Sequence, residues 1–501
     1  MPSILIQTLG CKLNQLESEA ITGAFRQAGF VMCNPSINVS SIETASTEAS
    51  PSISPSIIVV NTCTVTSKAD QKARRVIRKA LRDYPDSAVL VTGCYAQLNQ
   101  DELYKLEFRK PETERPRRLF VIKGMDKDSI LNLSFYLGEK KDIFGALESL
   151  CEYREQGAVS NERTAGRFQF NPEHFSDHTR SFLKIQDGCD KHCTYCRIRL
   201  ARGPSISLDA EQVLSRLRIL EKKHAEAVLT GVNISQYRDL SGRIDSSLNN
   251  ASNIPSNNLG GLLEYLLCVT STISLRLSSL APDSIDGELA KILSNKRIRP
   301  HFHLSIQSGS KKILEKMGRG YDAETVERAV NLLRSAKDDP FLACDIIAGF
   351  PGETETEFNA TYELCRKIGF SWIHVFPYSK RPGTPACSLS GAVQEKEITR
   401  RVRLLTDLAL QGRAGYVNRW LGREVDVLIE KGRCAKSFCR GISENYLKIL
   451  IKFKGDKPPP PGSVLRCVLS GKYNEENCDA VADIIPLPEY IPETITTAYQ
   501  R

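Results

Sequence analysis

The chain has 501 residues, enough for two or three domains with full cores and too many for a single one. Its formal charge of +9 is a mild basic excess that points toward a polyanionic partner. Sixteen cysteines without a leader or an apolar run long enough to cross a bilayer speak against a disulfide-built secreted protein and a helical membrane protein, and lead to the expectation of a reducing, cytoplasmic setting.

Ser3 to Gln7 reads as a short buried strand ending in Thr8-Leu9-Gly10-Cys11, followed by a helix from about Leu16 to Gln27. Asn34 to Ser56 is rich in Ser, Thr and Ile with hardly any charge, as expected of an inserted surface loop. Ile57 to Val60 makes a second strand running into Asn61-Thr62-Cys63, and Ala88 to Val91 a third running into Thr92-Gly93-Cys94. Strand, cysteine and helix thus recur three times. In a doubly wound parallel sheet the strand ends share one edge, so Cys11, Cys63 and Cys94 can converge; three separate core cysteines are the alternative. Between Cys63 and Cys94 a helix turns Ala69, Ala73, Val76, Ile77, Ala80 and Leu81 inward, while Lys68, Lys72, Arg75, Lys79 and Arg82 form a basic stripe, either a solvated face or a surface for RNA phosphates. Asp101 to Thr179 carries little signal, with a linker expected around 157–172.

Ser181-Phe182-Leu183-Lys184-Ile185-Gln186 alternates like a strand and leads into Gly188-Cys189-Asp190-Lys191-His192-Cys193-Thr194-Tyr195-Cys196. Three thiolates at C-x3-C-x2-C spacing can surround one metal centre, and the lack of a fourth suits a 4Fe-4S cluster with one open iron. A closed zinc site needs a fourth ligand, and His192 between the thiols is poorly placed to supply it. Further strands are expected at Ala225–Leu229, Ile273–Leu277, Phe302–Ile306, Phe341–Ile347 and Ile373–Phe376, alternating with helices. Six such units suit an open parallel barrel with its site at the carboxyl ends of the strands. Leu240 to Asn258, rich in Ser and Asn, reads as another surface insertion. Strand ends carry Gly231-Val232-Asn233, Ser305-Ile306-Gln307 and Gly349-Phe350-Pro351-Gly352-Glu353.

An arginine-rich helical connector, about Val393 to Gln411, leads to a last domain. From Arg419 to Gly471 there are 11 Lys or Arg and 5 Asp or Glu, so the basic excess concentrates here. Alternation in Glu424–Ile429, Tyr446–Phe453 and Val464–Leu469 suggests a small β-barrel. Tyr446 and Phe453 among Lys436, Arg440, Lys448, Lys452 and Lys454 could stack bases and neutralise phosphates. Cys434 and Cys439, like Cys33, Cys151, Cys268, Cys344 and Cys365, are expected to pack as small apolar residues.

The three-cysteine loop resembles the radical S-adenosylmethionine (SAM) superfamily. Ile185-Gln186-Asp187-Gly188-Cys189, Cys193-Thr194-Tyr195-Cys196 and Ala201-Arg202-Gly203 resemble its methylthiotransferase family over nearly the whole chain, and Ser443-Glu444-Asn445-Tyr446 resembles a TRAM domain, an RNA-binding barrel. The resemblance implies an α/β protein of three domains: an amino-terminal doubly wound sheet (1–155), a partial (β/α)6 radical SAM barrel (175–412) and a TRAM-like barrel (415–485). It implies one 4Fe-4S cluster on Cys189, Cys193 and Cys196 that binds SAM and makes a radical. A second, sulfur-supplying cluster would sit on Cys11, Cys63 and Cys94. Gly231, Val232 and Asn233 would hold the methionine part of SAM, Ser305 and Gln307 its ribose, and Gly349 and Glu353 the adenine side. The partners implied are tRNA, contacted by Lys68, Lys72, Arg75, Lys79, Arg440, Tyr446 and Lys452, and an electron donor. Gly10-Cys11-Lys12-Leu13-Asn14-Gln15 and Asn61-Thr62-Cys63-Thr64 resemble the branch acting on carbon 2 of N6-threonylcarbamoyladenosine. Branches acting on isopentenyladenosine or a ribosomal-protein aspartate, and a non-catalytic iron-sulfur RNA-binding protein, are the alternatives. The family commonly has an apolar residue, Ile and Pro after the third cysteine, where this chain has Arg197-Ile198-Arg199; glycine is frequent where Ser235 and Arg238 stand. Arg197 or Arg199 is the candidate partner for the threonyl carboxylate.

Overall fold

Four β-branched residues in a row, Ile57 to Val60, can bury both faces only as an interior strand of a parallel sheet. That is their place in the computed structural model, which describes residues 2–33, 54–107, 117–133, 142–155, 166–172, 179–240, 257–431, 437–453, 457–473 and 478–485. Strand β1 (Ser3–Thr8), β2 (Val31–Met32), β3 (Ile57–Thr62), β4 (Ala88–Gly93) and β5 (Leu119–Val121) form an all-parallel sheet in the order β2-β1-β3-β4-β5. The winding reverses between β1 and β3, which puts the switch point over the carboxyl ends of these two strands. Two-residue β2 and three-residue β5 are too short to carry a periodicity and escape sequence reading.

The first helix, Lys12–Gln27, begins four residues before the expected Leu16 because Cys11, in extended conformation, already serves as its N-cap. The next, Ser67–Asp83, is capped by the Thr66 side chain, which accepts from the Ala69 N–H. It buries Ala73, Val76, Ile77, Ala80 and Leu81 against β3 and β4, while Ala69 is half-buried. Lys68, Lys72, Arg75 and Arg82 are exposed and Lys79 half-buried, so the basic stripe exists as a surface. The expected linker needs correction: its residues 166–172 are packed, with Phe168 and Phe170 buried in the main core and Lys184 Nζ donating to the Arg167 carbonyl at 2.9 Å. Aromatic residues outweigh the glycine and proline that suggested a linker.

Strand β6 (Ser181–Lys184) opens the central part, followed by a short antiparallel pair, β7 (Gln186–Asp187) and β8 (Ile206–Ser207). Then come β9 (Glu226–Thr230), β10 (Ser274–Leu277), β11 (His301–Gln307), β12 (Phe341–Ala348) and β13 (Trp372–Pro377). All six expected barrel strands are present within two residues. They pair in parallel as β10-β9-β6 and β11-β12-β13, and a bridge between Leu280 and Leu304 joins the two triplets into one partial barrel. Glu226 accepts from Arg276 at 2.7 and 3.0 Å and from Arg299 at 3.1 Å, all three being buried.

By compactness the chain divides into Met1–Ser176 with Arg180–Ala409, and Asp177–Thr179 with Leu410–Arg501. The amino-terminal sheet and the barrel thus share one unit and one continuous core, in which Ile4 and Phe25 join Phe168, Phe182 and Leu229. In the second unit β14 (Glu424–Ile429), β15 (Phe438–Ser443), β16 (Lys448–Lys452), β17 (Val464–Lys472) and β18 (Ala480–Ile484) close a five-stranded barrel in the order β14-β15-β16-β18-β17. Tyr446 turns between β15 and β16 at a left-handed φ of 68° and is half-buried, whereas Arg440 and Lys452 are exposed. Phe453 corrects the expectation of a stacking face: it is buried in its barrel. Lys436, Lys454 and Cys434 lie outside the described residues.

Residues 34–53 and 241–256 of the expected insertions also lie outside them. The flanks that are described belong to the fold: Ser3 Oγ donates to the Ser54 carbonyl at 2.9 Å, and Asn258 caps the helix Leu259–Val269. Cys344, Cys365 and Cys439 are buried as expected and Cys33 and Cys151 half-buried, but Cys268 is exposed, because it falls on the outer side of that helix. Among the described residues no helix is long and apolar enough to cross a membrane. Replacing Glu226 by alanine would leave Arg276 and Arg299 without this carboxylate in a buried site. It should cost about 3–5 kcal/mol, read as a lowered denaturation midpoint of the first unit.

Candidate active site

Cys11 stands in the turn after β1, Cys63 follows β3, and Cys94 opens the short helix Cys94–Leu98 directly after β4. Asn14, one turn into the first helix, organises this edge. Its Nδ2 donates to the Leu9 carbonyl at 2.7 Å and the Thr62 carbonyl at 3.0 Å, tying the ends of β1 and β3 together. Gly10 has φ +113°, and a Cβ there would stand 2.6 Å from Cys63 Cβ, so the first two cysteines adjoin. Thr62 Oγ1 donates to the Thr92 carbonyl and accepts from the Ala96 N–H, bringing in Cys94. The three thiols are near enough for Cys11 and Cys94 each to help push the Cys63 thiol up. Burial is the larger cause, and Cys63 reaches about 12, even though the Val65 N–H points at its sulfur.

The second set sits on the loop after β7. Gly188, at φ +70°, passes so close to the Pro204 carbonyl that a Cβ would lie 1.8 Å from its oxygen. The Cys189 N–H donates to the Gly203 carbonyl at 3.1 Å and Thr194 N–H to the Met317 carbonyl at 3.0 Å. Gln186 pins the loop from below: its Nε2 donates to the carbonyls of Asp187 and Gly188 and to Ser205 Oγ, and its Oε1 accepts from the Asn233 N–H at 2.8 Å. Tyr195 packs edge-on against Phe350 and accepts from Arg319 at 2.7 Å. Burial raises the thiols of Cys189 and Cys196, the latter to about 11. Against this, the Lys191 N–H and the Asn233 side chain face Cys189, and the Ile198 N–H donates to Cys196 Sγ at 3.4 Å.

Thiols pushed up this far keep their protons at neutral pH until a metal displaces them. N–H groups aimed at the sulfurs favour the anionic form, as an iron-sulfur site needs. Among the described residues no three His, Cys, Asp or Glu side chains converge on a single-ion position. Three cysteines to a set, each able to bind its own iron, suit a cluster with one iron left open.

A buried ion network joins the two sets. Arg202 Nη2 donates to Asn14 Oδ1 at 3.1 Å, the oxygen that the Cys11 thiol also faces at 3.8 Å. Arg202 Nη1 donates to Glu17 Oε1 and to Asp187 Oδ1, both at 3.1 Å, and the same Asp187 oxygen accepts from the Gly188 N–H at 2.7 Å. Lys127 reaches Glu17 at 2.5 Å, and Lys184 reaches Asp187 at 2.5 Å and Glu17 at 3.5 Å. Burial alone would raise the Glu17 carboxyl, but Arg202, Lys127 and Lys184 outweigh it and hold it down to about 2. A second tie lies nearby. Arg381 Nη2 donates to Asp70 Oδ2 at 2.6 Å and to the carbonyl and hydroxyl of Thr64, the residue after Cys63. Asn14, Glu17, Gln186, Asp187 and Arg202 escaped assignment by sequence reasoning. Their signal was a polar residue in an apolar element beside a cysteine word.

The remaining expected site residues divide. Gly231, Val232 and Asn233 are half-buried at the end of β9, next to the cysteine loop. Ser305 is half-buried, and Gln307 is buried with a left-handed φ of 72°, a strained backbone at the end of β11. Gly349 and Glu353 are tied to each other: the Gly349 N–H donates to Glu353 Oε2 at 2.6 Å, and that carboxylate, 3% exposed, also accepts from Arg401 at 2.9 Å. Arg197 lies between the two sets, within 3.5 Å of Thr64 Oγ1 and Asn99 Oδ1, whereas Arg199 is engaged with His192.

Barrel and cysteine loop together are those of the Radical SAM superfamily, whose family model matches residues 183–365, while that of Uncharacterized protein family UPF0004 matches residues 3–110. Over its length the chain is similar to the threonylcarbamoyladenosine tRNA methylthiotransferase MtaB of Treponema pallidum (strain Nichols), at 37% identity over 93% of this chain and 98% of the relative. The MtaB proteins of Aquifex aeolicus (strain VF5), 35% identical over 89% of this chain and 96% of theirs, and of Bacillus subtilis (strain 168), 32% identical over 90% and 91%, are similar throughout as well. The chain belongs to the MtaB family of radical SAM methylthiotransferases.

Gly10→Ala would impose a strained φ and drive a methyl into Cys63. It should destabilise the first unit by about 1–3 kcal/mol, visible as a lower thermal unfolding midpoint.

Proposed function

We propose that the protein attaches a methylthio group to carbon 2 of N6-threonylcarbamoyladenosine beside the anticodon of tRNA. What carries this reading is kinship over the whole chain combined with two separate cysteine sets joined at one edge. Cys189, Cys193 and Cys196 hold the 4Fe-4S cluster that binds SAM, and Cys11, Cys63 and Cys94 hold the second. When bound, these clusters and SAM supply a hydrogen-abstracting radical and the sulfur to be transferred.

The chain's own residues bind and orient. Gly231, Val232 and Asn233 let backbone groups approach the amino-acid end of SAM, and Ser305 and Gln307 take the ribose edge. Gln186 fixes the height of the cysteine loop beneath them. Arg197 is the cation for the threonyl carboxylate: burial and then the neighbouring Arg381 disfavour its charge, and its contacts to Thr64 and Asn99 are long, so an incoming anion gains most there. We assign phosphate and base contacts to Lys68, Lys72, Arg75 and Lys79 and to Arg440, Tyr446 and Lys452 of the TRAM-like barrel. Three domains, 1–155, 175–412 and 415–485, a cytoplasmic setting and an electron donor outside the chain belong to this reading.

Reconstituted protein should bind about eight irons per chain and the Cys189, Cys193, Cys196 triple alanine variant about four. The Cys11, Cys63, Cys94 triple variant should lose methylthiolation yet still form 5'-deoxyadenosine. A wild-type value near four would refute the two-cluster assignment. Anticodon stem-loops bearing threonylcarbamoyladenosine should be methylthiolated and isopentenyl-bearing ones left unmodified; the reverse preference, read by nucleoside mass spectrometry, would overturn the substrate.

A further inference from the structure

Arg202 belongs to a buried ion network that reaches the amino-terminal cysteine set. Lys127, Lys184 and Arg202 are buried together, with half-buried Arg167 beside them, against Glu17, Asp187 and Asp128. The three buried cations are matched by three buried carboxylates. At one end of the network Arg202 shares Asn14 Oδ1 with the Cys11 thiol and has Cys94 and Cys11 within electrostatic reach. A metal-bound set of thiolates at Cys11, Cys63 and Cys94 would place negative charge beside this guanidinium.

The same guanidinium also holds the other set. Through Asp187 Oδ1 it reaches the Gly188 N–H, and the next residue along its own backbone, Gly203, receives the Cys189 N–H. A chain of polar contacts thus runs Cys11, Asn14, Arg202, Asp187, Gly188, Cys189. We infer that Arg202 is a positioning residue common to both centres, which fixes the Cys11 turn against the Cys189 loop and supplies the buried positive charge that holds up the reduction potential of the amino-terminal cluster. Cluster potentials follow local charge, burial and hydrogen bonding to sulfur. A purely structural Arg202 would have no such effect.

The inference rests on the cluster assignment above, but not on the substrate. Its test uses full-length, reconstituted protein in the Cys189, Cys193, Cys196 triple alanine background, where only the amino-terminal cluster remains. Redox titration followed by electron paramagnetic resonance gives that cluster's midpoint potential. Arg202→Gln should move it to a more negative value, Arg202→Lys should return it most of the way, and Glu17→Gln, which deletes a negative charge from the same network, should move it the opposite way. Shifts of Arg202→Gln and Glu17→Gln in the same direction, or no shift in either, would overturn the inference. Should Arg202→Gln fail to fold, the sign of the Glu17→Gln shift and the match of Arg202→Lys to the parent decide it. Failure of the parent background to bind about four irons would instead remove the cluster assignment beneath it, and a wrong substrate would leave every potential as expected.

Discussion

One arginine holds the two halves of this site together. Arg202 is buried among Glu17, Asn14 and Asp187, which come from the amino-terminal sheet and from the barrel. A planar fork that donates from two nitrogens can hold a carboxylate, an amide oxygen and a second carboxylate at fixed angles, which a lysine's single nitrogen cannot do. Around it Phe168 packs against Lys184 Nζ at 5.6 Å, the short chain after β5 brings Lys127, and the first helix brings Glu17 and Asn14. Buried ion pairs are weak sources of stability because desolvation offsets the attraction. What such a network provides is specificity of arrangement: few other packings satisfy so many charges at once.

This explains what could and could not be read from sequence. Strands of the sheet and barrel were legible because apolar runs such as Ile57 to Val60 and Phe341 to Ala348 have no other stable place, and their order follows from alternation with helices. The short β2 and β5 had no period to show. In the last barrel β15 was obscured by Gly441 and Ser443, and β18 by small residues, since both depend on their neighbours for burial. Packing likewise overrode composition at 166–172, where two phenylalanines carry the segment into the core.

The candidate site was half legible for a related reason. Cysteines announce themselves by spacing or by recurring after strands. Residues that act through shape and charge do not. Asp187 and Arg202 read as ordinary polar positions until their partners 15 and 185 residues away are known. Glu353 shows the converse, since a carboxylate in a Gly-Phe-Pro-Gly-Glu turn reads as a ligand while its partners Gly349 and Arg401 are visible only in the fold. Strand-end position selects for both roles, and only burial separates them.

Transfer between two centres demands that their separation be fixed, because a displacement of an ångström at a reacting atom can cost a hundredfold in rate. A single tie between sheet and barrel would act as a pivot. Among several, two grip different strands: Arg202 holds the turn after β1, and Arg381 holds Thr64 and Asp70 after β3. Their barrel ends differ too, one beside the cysteine loop and one beyond β13. Rotation about either tie would break the other, and the continuous core beneath them opposes separation. The two cysteine sets are thereby held in register, and substitutions at Asp70 or Arg381 would act on the site through this geometry and through the charge they set around Arg197.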